Sequence, residues 1–180
     1  MEAPEPERPR RLLTTATLIR WGCLAALLIF ILVAGAQWLA ARWVAGRQAQ
    51  LSTLCMSHLI DLYRGAKMYA ADHEDRLPSA PEWSALIRDP YLGRDDVFSC
   101  PAAPDRPGYA MNAACDDRRL QDITDPTATV LFYDSSAGKR NAHDALTSLP
   151  HPPRHPGGNN GIWVDGHVGV VQEATAKAPK

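Results

Sequence analysis

Acidic residues are missing from a long stretch near the N-terminus, with none between Glu7 and Asp61. Proline is missing between Pro9 and Pro78, so no ring in this stretch breaks a helix. The formal net charge of the 180 residues is only −1, and no run of lysine or arginine is interleaved with aromatic residues. A nucleic-acid-binding surface is therefore not predicted.

Motifs of the common catalytic sites are absent as well. Ser135 and Ser136 follow Asp134 without a Gly-x-Ser-x-Gly elbow, and no glycine-rich phosphate loop occurs. The acidic group at residues 72–75 lacks the ligand spacing and the glycine of a calcium loop. We therefore expect no enzyme activity and no cofactor.

A long uncharged run follows the N-terminal arginines. From Trp21 to Ala41 the only clearly polar side chain is Gln37, and Arg20 and Arg42 flank the run. At about 1.5 Å per residue, a helix of this length crosses a hydrocarbon core of roughly 30 Å. A transmembrane helix is predicted over residues 20–42. A cleaved signal peptide is the alternative, which the alanine-rich end of the run keeps open although the run exceeds the usual signal core.

Positive charge predicts the orientation of this helix. More arginines precede the span than closely follow it, and under the positive-inside rule this bias places the N-terminus in the cytoplasm. Residues 1–19 would then form a cytoplasmic tail, and the C-terminal domain would be exported. The arginines concerned are Arg8, Arg10, Arg11 and Arg20 before the span, and Arg42 and Arg47 after it.

An amphipathic stem is predicted over residues 43–77. Its apolar positions recur at spacings of three and four, as on one face of a helix. The helix is expected to reach about Asp72, either continuous with the membrane helix or jointed to it near Gly46. The apolar face consists of Leu51, Leu54, Cys55, His58, Leu59, Leu62, Ala66, Tyr69 and Ala70.

The remaining sequence, residues 78–172, predicts a small antiparallel sheet. Residues 127–133 are rich in β-branched and aromatic side chains, and residues 161–171 form two β-rich runs around Asp165-Gly166. This dipeptide predicts a hairpin with a type I′ turn, in which both central residues have positive φ. Residues 173–180 are expected to be a disordered tail.

The spacing of His155, nine further residues and then Asp165-Gly166 resembles the signature of the prepilin-type, processing-associated H-X9-DG proteins. These are membrane-anchored relatives of type II secretion pseudopilins. Further segments match that family in order, namely Cys55 to Tyr63, Tyr69 to Asp72, Leu77-Pro78, Phe98 to Pro101, Gly108 to Asn112 and Thr129 to Asp134.

The resemblance implies an α+β, pseudopilin-like fold in the bacterial inner membrane, with a periplasmic domain. It also implies a non-enzymatic, structural or interaction subunit of a secretion-like or other envelope complex, with partners bound through the membrane and stem helices. One departure stands out. Pilin precursors carry a cleavage glycine and a glutamate five residues beyond it, and no acidic residue follows Glu7 before Asp61. We therefore expect a protein retained in the membrane, with its arginine-rich head intact, rather than a filament subunit.

Histidines crowd the C-terminal region, in loops and turns without the i, i+4 pairing of a helical metal site. A structural role is the preferred interpretation: Asp165 and Gly166 form the turn, and His155 fixes the preceding loop by donating to a carbonyl. The alternative is a metal-binding, ligand-binding or hydrolytic site formed by His155, Asp165 and His167. The full group is His143, His151, His155 and His167, with Asp134, Asp144 and Asp165.

Three of the four cysteines would face an oxidising compartment if the domain is exported. Cys55, Cys100 and Cys115 allow three pairings, among which the residues alone do not choose. The family resemblance favours Cys55–Cys100, which would join the stem to the sheet domain, and the short loop makes Cys100–Cys115 the runner-up. Cys23 lies in the membrane run and is expected to be a small apolar filler.

Overall fold

The structure, a computed structural model, describes residues 15–172. The chain divides into two compact units, Met1–Ala45 and Gly46–Lys180. Most of the predicted cytoplasmic tail and the whole predicted C-terminal tail at residues 173–180 lie outside the described residues.

Helix α1 extends without interruption over Thr15–Asp72. It passes through Gly46, so the prediction of one continuous helix holds and that of a joint does not. The helix is long and apolar enough to cross a membrane, and none of its most apolar window is buried within the chain. The large apolar side chains from Leu18 to Val44 are 47–68% exposed.

The helix ends where the backbone turns left-handed. Glu74 and Asp75 have φ values of 53° and 58°, which an α-helix cannot accommodate, and the Asp75 N–H donates to the Ala70 carbonyl at 2.9 Å. Residues 73–77 of the predicted stem are therefore not helical. The predicted end near Asp72 agrees with the structure.

The stem packs on the domain through one narrow row of side chains. Leu54, predicted on this face, is instead 50% exposed, because it lies one position away from the buried row. Burial of each leucine in the row stabilises the domain by roughly 1.5–3 kcal/mol. The fully buried members of the row are Cys55, Leu59, Leu62, Ala66 and Ala70.

A five-stranded sheet in the order β3-β1-β2-β4-β5 forms the rest of the core. The fold is α+β, as the resemblance implies. Neighbouring strands are antiparallel except β1 and β3, which are parallel, so the sheet is mixed rather than wholly antiparallel. The strands are β1 Tyr109–Asn112, β2 Val130–Asp134, β3 His143–Asp144, β4 Asn159–Trp163 and β5 Val168–Val171.

Short helical segments lie between α1 and β1 and between β1 and β2. Helix α2, Trp83–Ile87, buries Trp83 against Phe132 with ring centroids 4.8 Å apart. The indole N–H of Trp83 donates to the Ala142 carbonyl at 3.0 Å. The other segments are a π-helical turn at Arg88–Leu92 and 3-10 turns at Asp96–Phe98, Ala113–Cys115 and Leu120–Asp122.

The hairpin joining β4 and β5 does not have the predicted type I′ turn. The Gly166 N–H donates to the Trp163 carbonyl at 2.9 Å, so Val164 and Asp165 are the central residues. Neither has positive φ, whereas Gly166 follows at φ +94°. The single left-handed position therefore comes after the turn and is filled by the glycine.

Candidate functional site

Four buried side chains bring together two sulfurs, a carboxylate and an imidazole. Cys55, Cys100 and Asp134 are 0% exposed and His155 is 5% exposed. One potential ligand atom from each lies within 4.8 Å of all the others. Among the residues that the structure describes, this is the only such group of three or more cysteine, histidine or acidic side chains. We call it the buried polar cluster.

Each member of the buried polar cluster is positioned by a different part of the fold. Cys55 lies in the buried row of α1, Asp134 ends β2, and His155 precedes β4 in a bridge to Gly158. Cys100 lies in the loop before β1. Gly108 approaches it so closely that an added Cβ would be 2.5 Å from the Cys100 backbone nitrogen. A side chain at position 108 would displace Cys100.

Contacts within the cluster are short. The Cys55 thiol donates to Asp134 Oδ1 at 3.1 Å, and Cys100 Sγ lies 3.3 Å from His155 Nε2. His155 Nε2 also lies 3.5 Å from Asp134 Oδ2, which accepts the backbone N–H of Asn160 at 2.7 Å. The side chains therefore contact one another rather than solvent.

Two further side chains support the cluster. The Arg154 side chain is 9% exposed, and its Nη1 lies 3.5 Å from Asp134 Oδ1. The same guanidinium donates to the carbonyls of Gly108 at 2.9 Å and Ser135 at 2.6 Å, which fixes its position. The Tyr109 hydroxyl donates to Cys55 Sγ at 3.3 Å. The buried carboxylate thus has a cation beside it, as a buried charge requires.

The surroundings of the two sulfurs shift their pKa values in opposite directions. A hydrogen bond from Cys55 lowers the pKa of Cys100 well below its ordinary value, with help from His155. The same hydrogen bond, together with burial, raises the pKa of Cys55. Burial raises the pKa of Asp134. The Cys55 proton thus has two acceptors within reach, the Cys100 sulfur and the Asp134 carboxylate.

The geometry does not suit a catalytic triad of cysteine, histidine and aspartate. In such a triad the acid contacts one ring nitrogen and the nucleophile the other. Here Cys100 and Asp134 both approach Nε2 of His155. All three side chains are also buried, so a substrate could not reach the sulfur. By chemical type, the four side chains are the ligands that zinc takes in proteins.

The other predicted site residues lie outside the cluster. Asp165 Oδ1 accepts the backbone N–H of His167 at 3.1 Å and lies 2.6 Å from its Nδ1. The His167 ring stacks on Trp163 with centroids 4.3 Å apart. His143 Nδ1 lies 2.9 Å from the Asn141 carbonyl. The ligand group around His155 contains neither Asp165 nor His167.

His155 itself contacts a thiol and a carboxylate, where the sequence predicted a loop carbonyl. Asp134 was grouped with the histidines in the sequence, but neither Cys55 nor Cys100 was proposed as a partner of His155. Two signals pointed to buried polar groups: Cys55 occupies the apolar stripe of the stem, and Asp134 is the one charge at the end of an apolar β-run. A charge placed there needs a partner.

The cysteines divide into a pair and two isolated thiols. Cys55 and Cys100 belong to the cluster, and their pairing in a disulfide stays a prediction. Cys115 is buried outside the cluster, its thiol 3.7 Å from the Val130 carbonyl, and the runner-up pairing Cys100–Cys115 likewise stays a prediction. Cys23 is exposed on the first part of α1.

Both halves of the H-X9-DG spacing contact the stem. Near the start, His155 joins Cys55 in the cluster. At the end, the Tyr63 ring lies 3.0 Å from where a Cβ on Gly166 would stand, and the Tyr63 hydroxyl donates to the Val164 carbonyl at 3.3 Å. Strand β4, between the two halves, lies against the helix, and the Asn160 side chain bridges to it at Ser52.

In comparisons with known proteins, the chain matches no protein-family model, no curated protein and no solved structure. Membership of the H-X9-DG family therefore stays a prediction, based on the segments quoted above and their order.

Proposed function

We propose that the chain is a single-pass, membrane-anchored, pilin-like protein that acts through interactions, as a structural subunit of a secretion-like or other envelope complex. In this proposal the N-terminus is cytoplasmic and the domain beyond residue 42 is periplasmic, at the bacterial inner membrane.

One observation carries the proposal: α1 changes character along its length. Its first part exposes a dense set of large apolar side chains, while its second part has the buried row that the sheet covers. An exposed apolar helix of this length is stable in a lipid bilayer, where its backbone groups are satisfied within the helix. The buried polar cluster, closed to substrates, supports a non-enzymatic role.

Membrane fractionation tests the anchor. We expect the full-length chain to stay in the membrane pellet after alkaline carbonate extraction, and detergent to release it with Trp21 to Ala41 still present by intact mass. A soluble product that begins after the alanine-rich end of the apolar run would show a cleaved signal peptide and contradict the anchor.

Affinity purification from membranes in mild detergent tests the interaction role. Small residues at Gly22 and Ala26 are one helical turn apart, and nothing lies within 4 Å of a Cβ built on Gly22. Such positions allow close helix packing in membranes. Gly22→Ile with Ala26→Ile should reduce co-purification of specific partners, whereas Leu28→Ile should not. Equal recovery with both variants would show that this face is not the contact.

A further inference from the structure

We propose that Cys55, Cys100, Asp134 and His155 bind one zinc ion, which joins the stem helix to the sheet. The inference concerns the exported domain alone and goes beyond the proposed membrane role.

The ligand types select the metal. Two sulfurs exclude the hard cations calcium and magnesium, which take oxygen ligands. Thiolate and imidazole ligands in a four-ligand set favour zinc, and a carboxylate oxygen completes sets of this kind. No fifth protein ligand is needed, which is the arrangement of a structural rather than a catalytic zinc site.

The spacing of the ligand atoms fits a tetrahedral site. With bonds of about 2.0–2.3 Å to nitrogen, oxygen and sulfur, the edges of a zinc tetrahedron measure roughly 3.2–3.8 Å. In the cluster, Cys55 Sγ and Asp134 Oδ1 are 3.1 Å apart, and Cys100 Sγ and His155 Nε2 are 3.3 Å apart. All four atoms lie within 4.8 Å of one another. Movements of the ligand atoms by a few tenths of an ångström to about 1 Å would bring all four to the spacing of a zinc tetrahedron.

The charges also balance. Two thiolates and a carboxylate carry three negative charges, which Zn²⁺ and the Arg154 guanidinium together neutralise. Arg154 lies 3.5 Å from Asp134 and is held by two carbonyls. The Tyr109 hydroxyl donates a hydrogen bond to Cys55, and the Asn160 N–H donates one to Asp134. Hydrogen bonds of this kind orient the ligands of a metal site.

A Cys55–Cys100 disulfide is the competing state, since it uses the same two sulfurs. A disulfide accounts for two of the four side chains only. It carries no charge and accepts hydrogen bonds poorly, so it gives no reason for His155 Nε2 to be buried 3.3 Å from Cys100 Sγ. Zinc accounts for all four side chains at once.

Zinc would hold together four segments that are distant along the chain: α1, the loop at Cys100, the end of β2 and the loop before β4. Free energy of binding at such a site adds to the free energy of folding. Zinc binds thiolates, so binding displaces thiol protons and the affinity should fall as the pH is lowered.

The test uses the full chain, purified in mild detergent without chelator. We expect one equivalent of zinc by elemental analysis, and a thiolate-to-cobalt charge-transfer band after Co²⁺ replacement. Cys55→Ser, Cys100→Ser and His155→Ala should each lose stoichiometric zinc. Cys115→Ser, which alters a buried cysteine outside the cluster, is the matched control and should keep it.

A measurement on the unmodified chain makes the test independent of variants that fail to fold. Excess chelator should lower the melting temperature of the wild type and of Cys115→Ser, and added zinc, but not calcium or magnesium, should restore it. The proposal is overturned by a Cys55–Cys100 disulfide in the purified wild type. It is equally overturned if the reduced wild type takes up no zinc, or if His155→Ala retains one equivalent.

Discussion

The Tyr63 ring of the stem helix lies over Gly166 in the β4–β5 turn. Three atoms at the hydroxyl end of the ring are 3.0 Å from the point where a Cβ on Gly166 would stand, and the hydroxyl donates to the neighbouring Val164 carbonyl. The glycine is required twice over, by this contact and by its φ of +94°. The turn thus belongs to the interface between helix and sheet.

Replacing Gly166 should destabilise the domain. Gly166→Val combines the strain of a β-branched residue at positive φ with the contact against Tyr63, and we expect a loss of roughly 1–3 kcal/mol. Chemical denaturation of the full chain in detergent, followed by tryptophan fluorescence, measures the loss.

A matched glycine separates the two causes. Gly157 has φ +90°, but nothing lies within 4 Å of its built Cβ. Gly157→Ala should therefore cost less than Gly166→Ala, and the difference should shrink in a Tyr63→Ala background. If the difference between the two glycine variants is the same in the Tyr63→Ala background as in the wild type, the Tyr63 contact is unimportant.

Gly108 should be intolerant of any side chain, for a different reason. Its built Cβ would lie 2.5 Å from the Cys100 backbone nitrogen, which cannot move without displacing the buried polar cluster. Gly108→Ala should lower stability by about 1–3 kcal/mol, as overpacking does. Gly169→Ala, whose Cβ would be 3.7 Å from Trp163, is the control and should be nearly neutral. Thermal melts of both variants check this.

The lowered pKa of Asp144 predicts that the stability of the domain depends on pH in the acid range. It is partly buried, which raises its pKa, but hydrogen bonds from Tyr133, Ser148 and Thr147 outweigh burial and hold the pKa below its ordinary value of 3.8. The folded state therefore binds this proton more weakly than the unfolded state. The resulting stability is present above pH 3.8 and is lost as the pH falls through the lowered value.

Asp144→Asn should accordingly be about 1–3 kcal/mol less stable than wild type at pH 7, because the charged acceptor is lost. The difference in stability between the two proteins should narrow as the pH is lowered below 3.8, where the wild-type carboxylate becomes protonated. Denaturation of both proteins across this range measures the difference. A constant difference would mean that the carboxylate's charge does not contribute.

The orientation across the membrane can be tested directly. The arginine bias predicts an exported domain, so protease added to intact spheroplasts should degrade residues beyond about Arg42. A cytoplasmic protein serves as the control for lysis. Protection of the domain until the spheroplasts are lysed would contradict the localisation and remove the oxidising environment on which the disulfide prediction depends.

Local patterns in the sequence predicted the helix well. The proline-free, periodic stretch predicted a helix that ends near Asp72, because both features depend on neighbouring residues, but it left open a joint near Gly46 that the structure does not have. Strands β1 and β3 were missed, since four and two residues are too short for an alternating pattern to be recognised. The cluster could be predicted only in part. The family resemblance brought Cys55 and Cys100 together, but Cys55 and Asp134 are 79 residues apart and no local pattern shows that they meet.

The contacts of β4 with the stem have a consequence for the length of the H-X9-DG segment. His155 and Gly166 both lie close to α1, at Cys55 and Tyr63, and strand β4 makes up half of the chain between them. Adding or removing one residue in a strand turns every following side chain to the opposite face. Ile162, fully buried, would exchange its place with a neighbour. The nine-residue spacing therefore matches the distance along α1 between Cys55 and Tyr63. A single inserted residue would disrupt the contact with the helix at either His155 or Gly166.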